Sequence, residues 1–336
     1  MKICVVGVGA IGGTLGFALS KAGHEVSGLA RGVTLAALRK KGLRFIDGSG
    51  KGSVQTAAIR VEEDPHRLGI QDLVVVAVKA PALKAAAAGA APLIGPETIV
   101  MPAMNGVPWW FFQDFGGKLA GTKLISTDPD GYISALIPSH SILGCVIHLG
   151  ASCPEPGLVK SLPLKTLIIG EPSGAMTERL KKLGEILAEA GFEPRLSQSI
   201  QSDIWYKLWG NMTMNPLSAL TGATMDLILG DPFVLRLCRE IMIEAKRVGE
   251  KIGCPIEQSV EDRIAISRTL GAFKTSMLQD LEAGRPLELD AILSAVVEIG
   301  ALAGEATPQI ETLLGLTRLK ARMVGLYPLD VNPQGI

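Results

Sequence analysis

A lysine within a strongly apolar segment is the first residue whose position suggests chemistry. Lys207 lies in IQSDIWYKLWGNMTMNPLSALTG (residues 200–222), and Asn211 and Asn215 follow it at intervals of four residues. On an α-helix these three side chains share one face. A lysine ammonium attracts a carbonyl oxygen and can donate a proton to it, and asparagine amides can bind polar groups of a small substrate. The spacing therefore predicts a polar stripe that carries an acid on an otherwise apolar helix.

The same segment has a second interpretation that needs no ligand. Lys207 can extend to water while the two asparagines cap local carbonyl groups. Asn215 precedes Pro216, which predicts that the helix ends or kinks at this point. Trp205 and Trp209 flank the lysine and are expected to pack on other faces of the helix. Only the first interpretation makes the lysine a proton donor.

A second polar group lies in KTSMLQDLEAGRPLELD (residues 274–290). Ser276 and Asp280 are one helical turn apart, and Glu288 follows a Gly-Arg-Pro break and is predicted to begin the next helix. Acidic residues are common at helix starts because they interact favourably with the helix dipole. Ser276 and Asp280 are equally consistent with surface or capping positions, so this cluster alone does not define a site.

The N-terminal residues predict the elements that would hold a cofactor. KICVVGVG predicts a buried parallel strand, IGGTLGFALSKAGH a helix and EVSGLAR a second strand. The junction between the first strand and the helix reads GxGxxG, and in this context the pattern predicts a pyrophosphate site at a helix N-terminus. A glycine-rich turn without a ligand is the alternative. The predicted cofactor-binding residues are Gly7, Val8, Gly9, Ala10, Ile11 and Gly12.

The end of the second predicted strand indicates which nicotinamide cofactor is used. An acidic residue there would accept hydrogen bonds from the ribose 2′-hydroxyl of NAD. This chain has Arg31 instead, and no Asp or Glu occurs from Ser27 to Lys41. An arginine can pair with a 2′-phosphate and stack on the adenine, so we expect NADP(H). A solvated loop arginine is the alternative.

Two more polar residues follow predicted strands. The runs at residues 72–78 and 98–104 are apolar, and they end at Lys79 and Asn105. Open α/β sheets bind ligands at the carboxyl ends of their strands. Lys79 is therefore expected to face the cofactor or substrate, and Asn105 to orient the nicotinamide ribose or the substrate. The alternatives are a solvated strand end for Lys79 and a helix N-cap for Asn105.

Composition narrows the class of protein. The 336 residues are 47% apolar and contain 33 basic and 33 acidic side chains, which is typical of a globular protein of about two domains and favours neither nucleic acid nor an anionic membrane. No run of about 18 uninterrupted apolar residues predicts a membrane span. The N-terminus superficially resembles a signal peptide, but a strand, turn and helix explain it better. The five dispersed cysteines predict reduced, mostly buried thiols in a cytoplasmic protein, and no metal site.

These elements predict an α/β protein with an N-terminal Rossmann-type, mostly parallel sheet and a C-terminal all-helical domain. Strand-like sequence continues to about Leu196, and helical sequence follows almost to Tyr327. We therefore predict an NADP(H)-binding domain at residues 1–198 and a helical substrate and catalytic domain at residues 199–330. The final PLDVNPQGI is expected to be a loose tail.

Taken together, the motifs resemble those of the ketopantoate reductase family. They are the GxGxxG, Arg31, VK at 78–79, NG at 105–106, KLWGNMTMNP and SMLQDLEAGRPLELD, and their order and spacing match along nearly the whole chain. The resemblance implies an NADPH-dependent reduction of 2-dehydropantoate to pantoate. It also implies a catalytic lysine at Lys207, an acid near ribose and substrate at Glu288, and substrate-binding residues at Asn105, Asn211, Asn215 and Ser276.

Three departures from the family pattern bear on the substrate. Met225 lies near the position where the family has a further substrate-binding asparagine. Lys79 is followed by APAL rather than by an aromatic residue and a glutamine. The segment after the NG, VPWWFFQDF, is unusually aromatic. These differences concern what the enzyme binds more than the reaction that it catalyses.

The chemistry of ketone reduction assigns the acid. Hydride addition leaves an alkoxide that needs a positioned proton donor. The four histidines lie in the first half of the chain, and only His148 is near a predicted strand end. An ordinary lysine, with a pKa of about 10.4, is charged near neutral pH. Lys207 is therefore predicted to be the general acid, with Glu288 holding its ammonium group.

Three other functions remain open at this point. One is reduction of a different branched or aromatic 2-oxo acid by the same residues. Another is a non-catalytic NADP(H)-binding sensor, and the third is an oxidative enzyme similar to 6-phosphogluconate dehydrogenase, which shares the domain plan. The expected partner is a small 2-oxo acid, and a homodimer would form through the helical domain.

Overall fold

The structure, a computed structural model, describes residues 1–48 and 53–329, apart from the side chains of residues 163 and 164. Contacts divide the chain into two compact units. The first contains Met1–Met104 and Gly131–Ile200, and the second contains Asn105–Asp130 and the chain from Gln201 onward. The domain boundary near residue 198 stays a prediction. Most of the expected C-terminal tail lies outside the described residues.

The strands of the described chain all belong to the first unit. In chain order they are β1 (Lys2–Val6), β2 (Glu25–Leu29), β3 (Leu43–Asp47), β4 (Gln55–Ala57), β5 (Arg60–Glu62), β6 (Leu73–Val76), β7 (Ile99–Pro102), β8 (Gly144–Glu155), β9 (Leu158–Gly170) and β10 (Glu193–Ser197).

Two sheets are built from these strands. The first has the order β5-β2-β1-β6-β7 and is parallel throughout, with Val5 opposite both Gly28 and Val75. The second has the order β10-β9-β3-β4, and β8 pairs with β9 in the antiparallel direction. The first sheet confirms the predicted Rossmann-type arrangement. The second sheet was anticipated only as strand-like sequence that continues to about Leu196.

The described helices are distributed over both units. In chain order they are α1 (Ala10–Lys21), α2 (Gly32–Lys41), α3 (Leu83–Ala90), α4 (Tyr132–Leu136), α5 (Glu178–Glu189), α6 (Ile200–Thr221), α7 (Met225–Gly230), α8 (Pro232–Ile252), α9 (Val260–Arg268), α10 (Ser276–Glu282), α11 (Ala295–Ala303) and α12 (Pro308–Met323). A π-helical turn, Asp290–Ser294, directly precedes α11.

Helix α1 packs against both sheets of the first unit. It packs against β1 through Gly12 and against β9 through Gly13, where the absent side chains allow the close approach. Phe17 on the same helix stacks on Phe45 of β3 with 4.6 Å between ring centroids. The apolar side chains of β1 are buried between these layers, so the short β-branched run at the N-terminus becomes the centre of the core.

The helical second unit confirms the predicted all-helical C-terminal region, but it also contains Asn105–Asp130. The buried carboxylate of Glu298 on α11 accepts hydrogen bonds from the backbone nitrogens of Ile125 (2.7 Å) and Ser126 (2.9 Å). Phe111 contacts the Trp205 ring of α6, with centroids 6.2 Å apart. These contacts explain why an aromatic segment that follows a sheet strand belongs to the helical unit.

Of the two outcomes predicted at Asn215, an end or a kink of the helix, the end is wrong. Helix α6 continues through Pro216 to Thr221 and is followed by Gly222, whose φ of 75° ends it. Proline removes one backbone donor, but Leu217 and Ala219 beyond it are buried. The burial of this last turn offsets the lost hydrogen bond.

Two further predictions can be compared with the structure. All five cysteines are free, with Cys4, Cys145, Cys238 and Cys254 buried and Cys153 exposed, which confirms that most of them are buried. Within the described part of the chain, no helix combines the length and the hydropathy needed to cross a bilayer.

Candidate functional site

The glycine turn of the first unit lies between β1 and α1. Gly7 has a φ of 96°, and a Cβ atom there would lie 2.8 Å from the carbonyl oxygen of Ala77. A Cβ atom at Gly12 would lie 2.8 Å from Val5 Cγ1. Side chains are therefore excluded at both positions, because the turn is pressed against the neighbouring strands.

The middle of the same turn is open. A Cβ atom at Gly9, the N-cap of α1, would meet no described heavy atom within 4 Å beyond its own chain neighbours. The first turn of α1 contains no acidic residue. Because the first amides of a helix have no intrahelical acceptor, this open helix start fits a phosphate group. The predicted cofactor-binding stretch thus includes an open helix start, and its residues stay predictions: Gly7, Val8, Gly9, Ala10, Ile11 and Gly12.

Arg31 lies at the end of β2, as predicted. It is exposed, adopts an extended backbone and is the N-cap residue of α2. Sequence reasoning missed a nearby acid, Glu62, whose backbone oxygen accepts a hydrogen bond from the Ala30 nitrogen. The Glu62 carboxylate is paired with Arg39 and Arg60, each at 3.4 Å. Arg31 is itself exposed at this strand end, which fits a ribose 2′-phosphate.

Lys79 and Asn105 are in different units. Lys79 is partly buried and precedes the short 3₁₀ turn Ala80–Ala82 of the first unit. Asn105 belongs to the second unit, where it is also partly buried. It is not a helix N-cap, because the residues after it form no helix. Both residues do follow sheet strands, β6 and β7, as the sequence predicted.

Helix α6 carries Lys207, Asn211 and Asn215 at the spacing of one helical face. Lys207 and Asn211 are partly buried, and Asn215 is buried. The side chains of the two flanking tryptophans contact helix α8. Trp205 Nε1 donates to the Ala245 carbonyl oxygen at 3.1 Å, and Trp209 Nε1 donates to that of Met242 at 2.8 Å. Both acceptors lie on α8, so the two indoles fasten the helix and leave the polar face to the lysine.

The lysine and the asparagine of the NG pair are in direct contact. Lys207 Nζ donates a hydrogen bond to Asn105 Oδ1 at 2.7 Å. The two residues are far apart in the sequence, and the contact joins a predicted acid to a predicted substrate-binding residue. An amide oxygen orients an ammonium group without neutralising its charge. The contact therefore orients the Lys207 ammonium group through the Asn105 amide.

The remaining predicted residues lie on later segments of the second unit. Ser276 is exposed at the first position of α10, after the capping residue Thr275. Asp280 is buried, and its Oδ1 accepts from Arg285 Nε at 2.8 Å. Glu288 is partly buried and lies two residues before the π-turn. Asp280 is thus occupied by an ion pair that closes the turn after α10, whereas Ser276 and Glu288 stay predicted site residues.

Met225, at the departure from the family pattern, begins α7. Its side chain is 4% exposed, and its backbone nitrogen donates to the Phe273 carbonyl oxygen at 3.0 Å. The aromatic departure is also buried, since Trp109 and Trp110 are 4% and 1% exposed. Met225 and these aromatic residues are therefore all buried side chains of the second unit.

Two protein-family models match the sequence of this chain. The model described as "Ketopantoate reductase PanE/ApbA" matches residues 3–109, and the model "Ketopantoate reductase PanE/ApbA C terminal" matches residues 199–321. Together they cover more than half of the chain.

Individual relatives agree with these matches. A curated 2-dehydropantoate 2-reductase from Mesorhizobium japonicum is 42% identical over 97% of this chain and 100% of its own length. A crystal structure of a candidate ketopantoate reductase from Ralstonia solanacearum MolK2 is 53% identical, with a TM-score of 0.93 over 97% of this chain and 99% of that one. D-mandelate dehydrogenase with NADH and anilino(oxo)acetate is 23% identical, with a TM-score of 0.82 over 97% and 100% of the two chains, which shows the fold alone. The family matches and the full-length similarity confirm the resemblance seen in the sequence: the chain belongs to the ketopantoate reductase family.

Proposed function

We propose that this chain reduces 2-dehydropantoate to pantoate with NADPH and that Lys207 is the general acid. The observation that carries the proposal is the hydrogen bond from Lys207 Nζ to Asn105 Oδ1, on the helix that also presents Asn211 and Asn215. Membership in the family, with a curated reductase 42% identical over nearly the whole chain, supports the substrate and the reaction.

The first unit supplies the cofactor site in this proposal. The open helix start at Gly9 accepts the pyrophosphate, and exposed Arg31 pairs with the 2′-phosphate. NADPH, when bound, supplies the hydride. Lys79, at the end of β6, contributes a second positive charge toward the cofactor.

Lys207 completes the reaction with a proton. As the carbonyl carbon accepts hydride, its oxygen gains negative charge, which the ammonium group stabilises and then protonates. Hydride and proton together convert the ketone into the hydroxyl group of pantoate. The lysine is left as a neutral amine and regains a proton from water before the next turnover.

The other predicted residues orient the substrate and the acid. Asn211, Asn215 and Ser276 bind the hydroxyl and carboxylate groups of the 2-oxo acid through hydrogen bonds. The Glu288 carboxylate attracts the ammonium of Lys207 and opposes the loss of its charge. These assignments follow the positions that match the family motifs.

A second candidate is a reductase of another branched or aromatic 2-oxo acid. The buried thioether of Met225, where the family has an amide, favours it because one polar contact is replaced by an apolar surface. The D-mandelate dehydrogenase that shares the fold was solved with anilino(oxo)acetate.

A substrate panel separates the two candidates. The purified protein is assayed with 2-dehydropantoate, branched aliphatic 2-oxo acids and phenylglyoxylate, each with NADPH and with NADH. We expect the highest kcat/KM for 2-dehydropantoate with NADPH. A kcat/KM at least about tenfold higher for another acid would transfer the assignment to that substrate, since this corresponds to about 1.4 kcal/mol of transition-state binding.

Assembly and location extend the proposal. We place the enzyme in the cytoplasm, which suits five free thiols. We also infer a homodimer through the helical unit, where Leu227 and Phe233 are 64% and 71% exposed at the start of α7 and α8. Light scattering of the purified protein tests the dimer, and a monomer mass at micromolar concentration would contradict it.

A further inference from the structure

The π-helical turn Asp290–Ser294 lies at the centre of a set of contacts that lead to the lysine. π-Turns are rare and occur frequently at functional sites, because the wider turn displaces a carbonyl group from the regular helical pattern. Here the carbonyl oxygen of Ala291 accepts a hydrogen bond from the backbone nitrogen of Val107 at 2.7 Å. The turn is thereby attached to the residues that follow Asn105.

Gly106 lets the backbone approach the π-turn closely. Its φ is 84°, and a Cβ atom there would lie 2.6 Å from the Ala291 oxygen and 2.7 Å from the Ala291 Cβ atom. The backbone of the NG pair thus rests directly on the π-turn, with no room for a side chain. Asn105 directly precedes Gly106, and its Oδ1 accepts the hydrogen bond from Lys207 Nζ.

The π-turn is itself held by side chains. Asp290 Oδ1 accepts hydrogen bonds from the Tyr327 hydroxyl at 2.5 Å and from Ser294 Oγ at 3.2 Å. The Leu287 nitrogen donates to the Leu326 oxygen at 3.3 Å, so the segment between Leu287 and the turn is also fixed. This segment contains Glu288, the acid that is proposed to face the ammonium.

We propose that the π-turn is a positioning device for the general acid: Gly106 and Ala291 fix the Asn105 amide, and that amide aims the ammonium of Lys207. Gly106, Ala291, Asp290 and Tyr327 act as positioning residues through Asn105. The inference deepens the proposed function, since it rests on Lys207 as the proton donor. It gives these four residues a role at the site, which the family resemblance did not assign to them.

Gly106→Ala is the direct test, and Gly121→Ala is its matched control. Gly121 is in the same unit and has a φ of 78°, but a Cβ atom there meets no described heavy atom within 4 Å. Both variants therefore place an alanine at a positive φ and are destabilised by the same backbone strain. Only Gly106→Ala also displaces the segment that contains Asn105. For Gly106→Ala we expect kcat with NADPH and 2-dehydropantoate to fall about 10- to 100-fold, with the Kd of NADPH unchanged.

The pH profile separates positioning from a general loss of structure. The Asn105 oxygen favours the charged form of the lysine, so losing it should lower the pH at which kcat falls on the alkaline side. Gly121→Ala should keep the kcat and the profile of the parent. Tyr327→Phe, which removes a donor to Asp290 without a steric clash, should shift the alkaline limb in the same direction by a smaller amount. The inference is wrong if Gly106→Ala and Tyr327→Phe keep the parent profile, or if Gly121→Ala reproduces the loss.

An NMR titration of the Lys207 side chain distinguishes failure of this inference from failure of the proposed function. Selectively labelled lysine, assigned with Lys207→Arg, reports the titration directly, without turnover. If the parent reduces no 2-oxo acid, the proposed function fails, and a lower titration midpoint in Gly106→Ala still supports the positioning role. An unchanged midpoint overturns it whatever the activity. Should Gly106→Ala not fold, Tyr327→Phe carries the same titration.

Discussion

The indole of Trp209 on α6 donates a hydrogen bond to the Met242 carbonyl oxygen on α8, with 2.8 Å between the two atoms. That oxygen lies inside α8, so the tryptophan adds a second donor to a group within a helix. The indole ring is fully buried. A large apolar side chain and one polar contact therefore fix the helix that carries Lys207, on the side away from the lysine.

Replacing Trp209 with phenylalanine should lower the free energy of unfolding by about 1–3 kcal/mol. The variant loses the hydrogen bond and leaves a small cavity in a packed core. Urea denaturation followed by circular dichroism measures the change. Trp205→Phe removes the equivalent bond to Ala245 and should have a similar effect. Unchanged midpoints for both variants would contradict a role for the indoles in fastening α6 to α8.

Lys207→Ala should lower kcat by roughly 10²–10⁴, because the ammonium that stabilises and protonates the oxygen is removed, and it should leave the Kd of NADPH unchanged. Steady-state kinetics and a fluorescence titration of NADPH measure the two quantities. Lys251→Ala is the control, since Lys251 is exposed at the end of α8. Turnover close to that of the parent would refute Lys207 as the acid.

Arg31→Ala should weaken NADPH binding by about 10- to 100-fold and change NADH binding little, since a charged hydrogen bond to the 2′-phosphate contributes about 1.5–3 kcal/mol. Binding titrations with both cofactors give the ratio. Arg67→Ala provides the control, because the side chain of this exposed arginine pairs with Asp64 at the surface. Equal loss for NADPH and NADH would assign Arg31 a role other than phosphate recognition.

The thiols should differ sharply in reactivity. Burial raises the pKa of Cys4 to about 11 and the pKa of Cys238 and Cys254 to about 12, so near pH 8 these groups hold almost no reactive thiolate. Cys153 is exposed. A disulfide reagent should therefore modify about one thiol per chain in the folded protein and all five after unfolding. Cys153→Ser should abolish the fast phase, and its persistence would show that a buried thiol is accessible.

The predictable parts of the structure are those with a strong local pattern. A β-branched run followed by glycines predicted β1 and its turn, and the four-residue spacing after Lys207 predicted one helical face. Pro216 misled the prediction because its cost is local, whereas the burial of Leu217 and Ala219 that offsets it depends on the fold.

No local sequence pattern predicts the contacts between segments that are distant in the chain. Nothing in the letters around Ala291 indicates a π-turn, since its wider spacing arises from packing, and nothing around Asn105 predicts its bond to Lys207. The residue types at the site were therefore accessible from sequence, while the contacts that orient them needed the structure. Glu62 shows the same limit, because it reaches the end of β2 from a neighbouring strand.

The assignment of Asn105–Asp130 to the helical unit has a consequence for biosynthesis. The ribosome makes this segment before Gly131–Ile200, so its aromatic residues must wait for partners on α6 and α11 that are still to be translated. At 5–20 residues per second that delay is on the order of ten seconds. During this interval Trp109, Trp110, Phe111 and Phe112, all buried in the final structure, lack their native neighbours. Midway through synthesis the nascent chain thus exposes an apolar aromatic segment. Chaperones that bind hydrophobic segments are expected to recognise it at this stage.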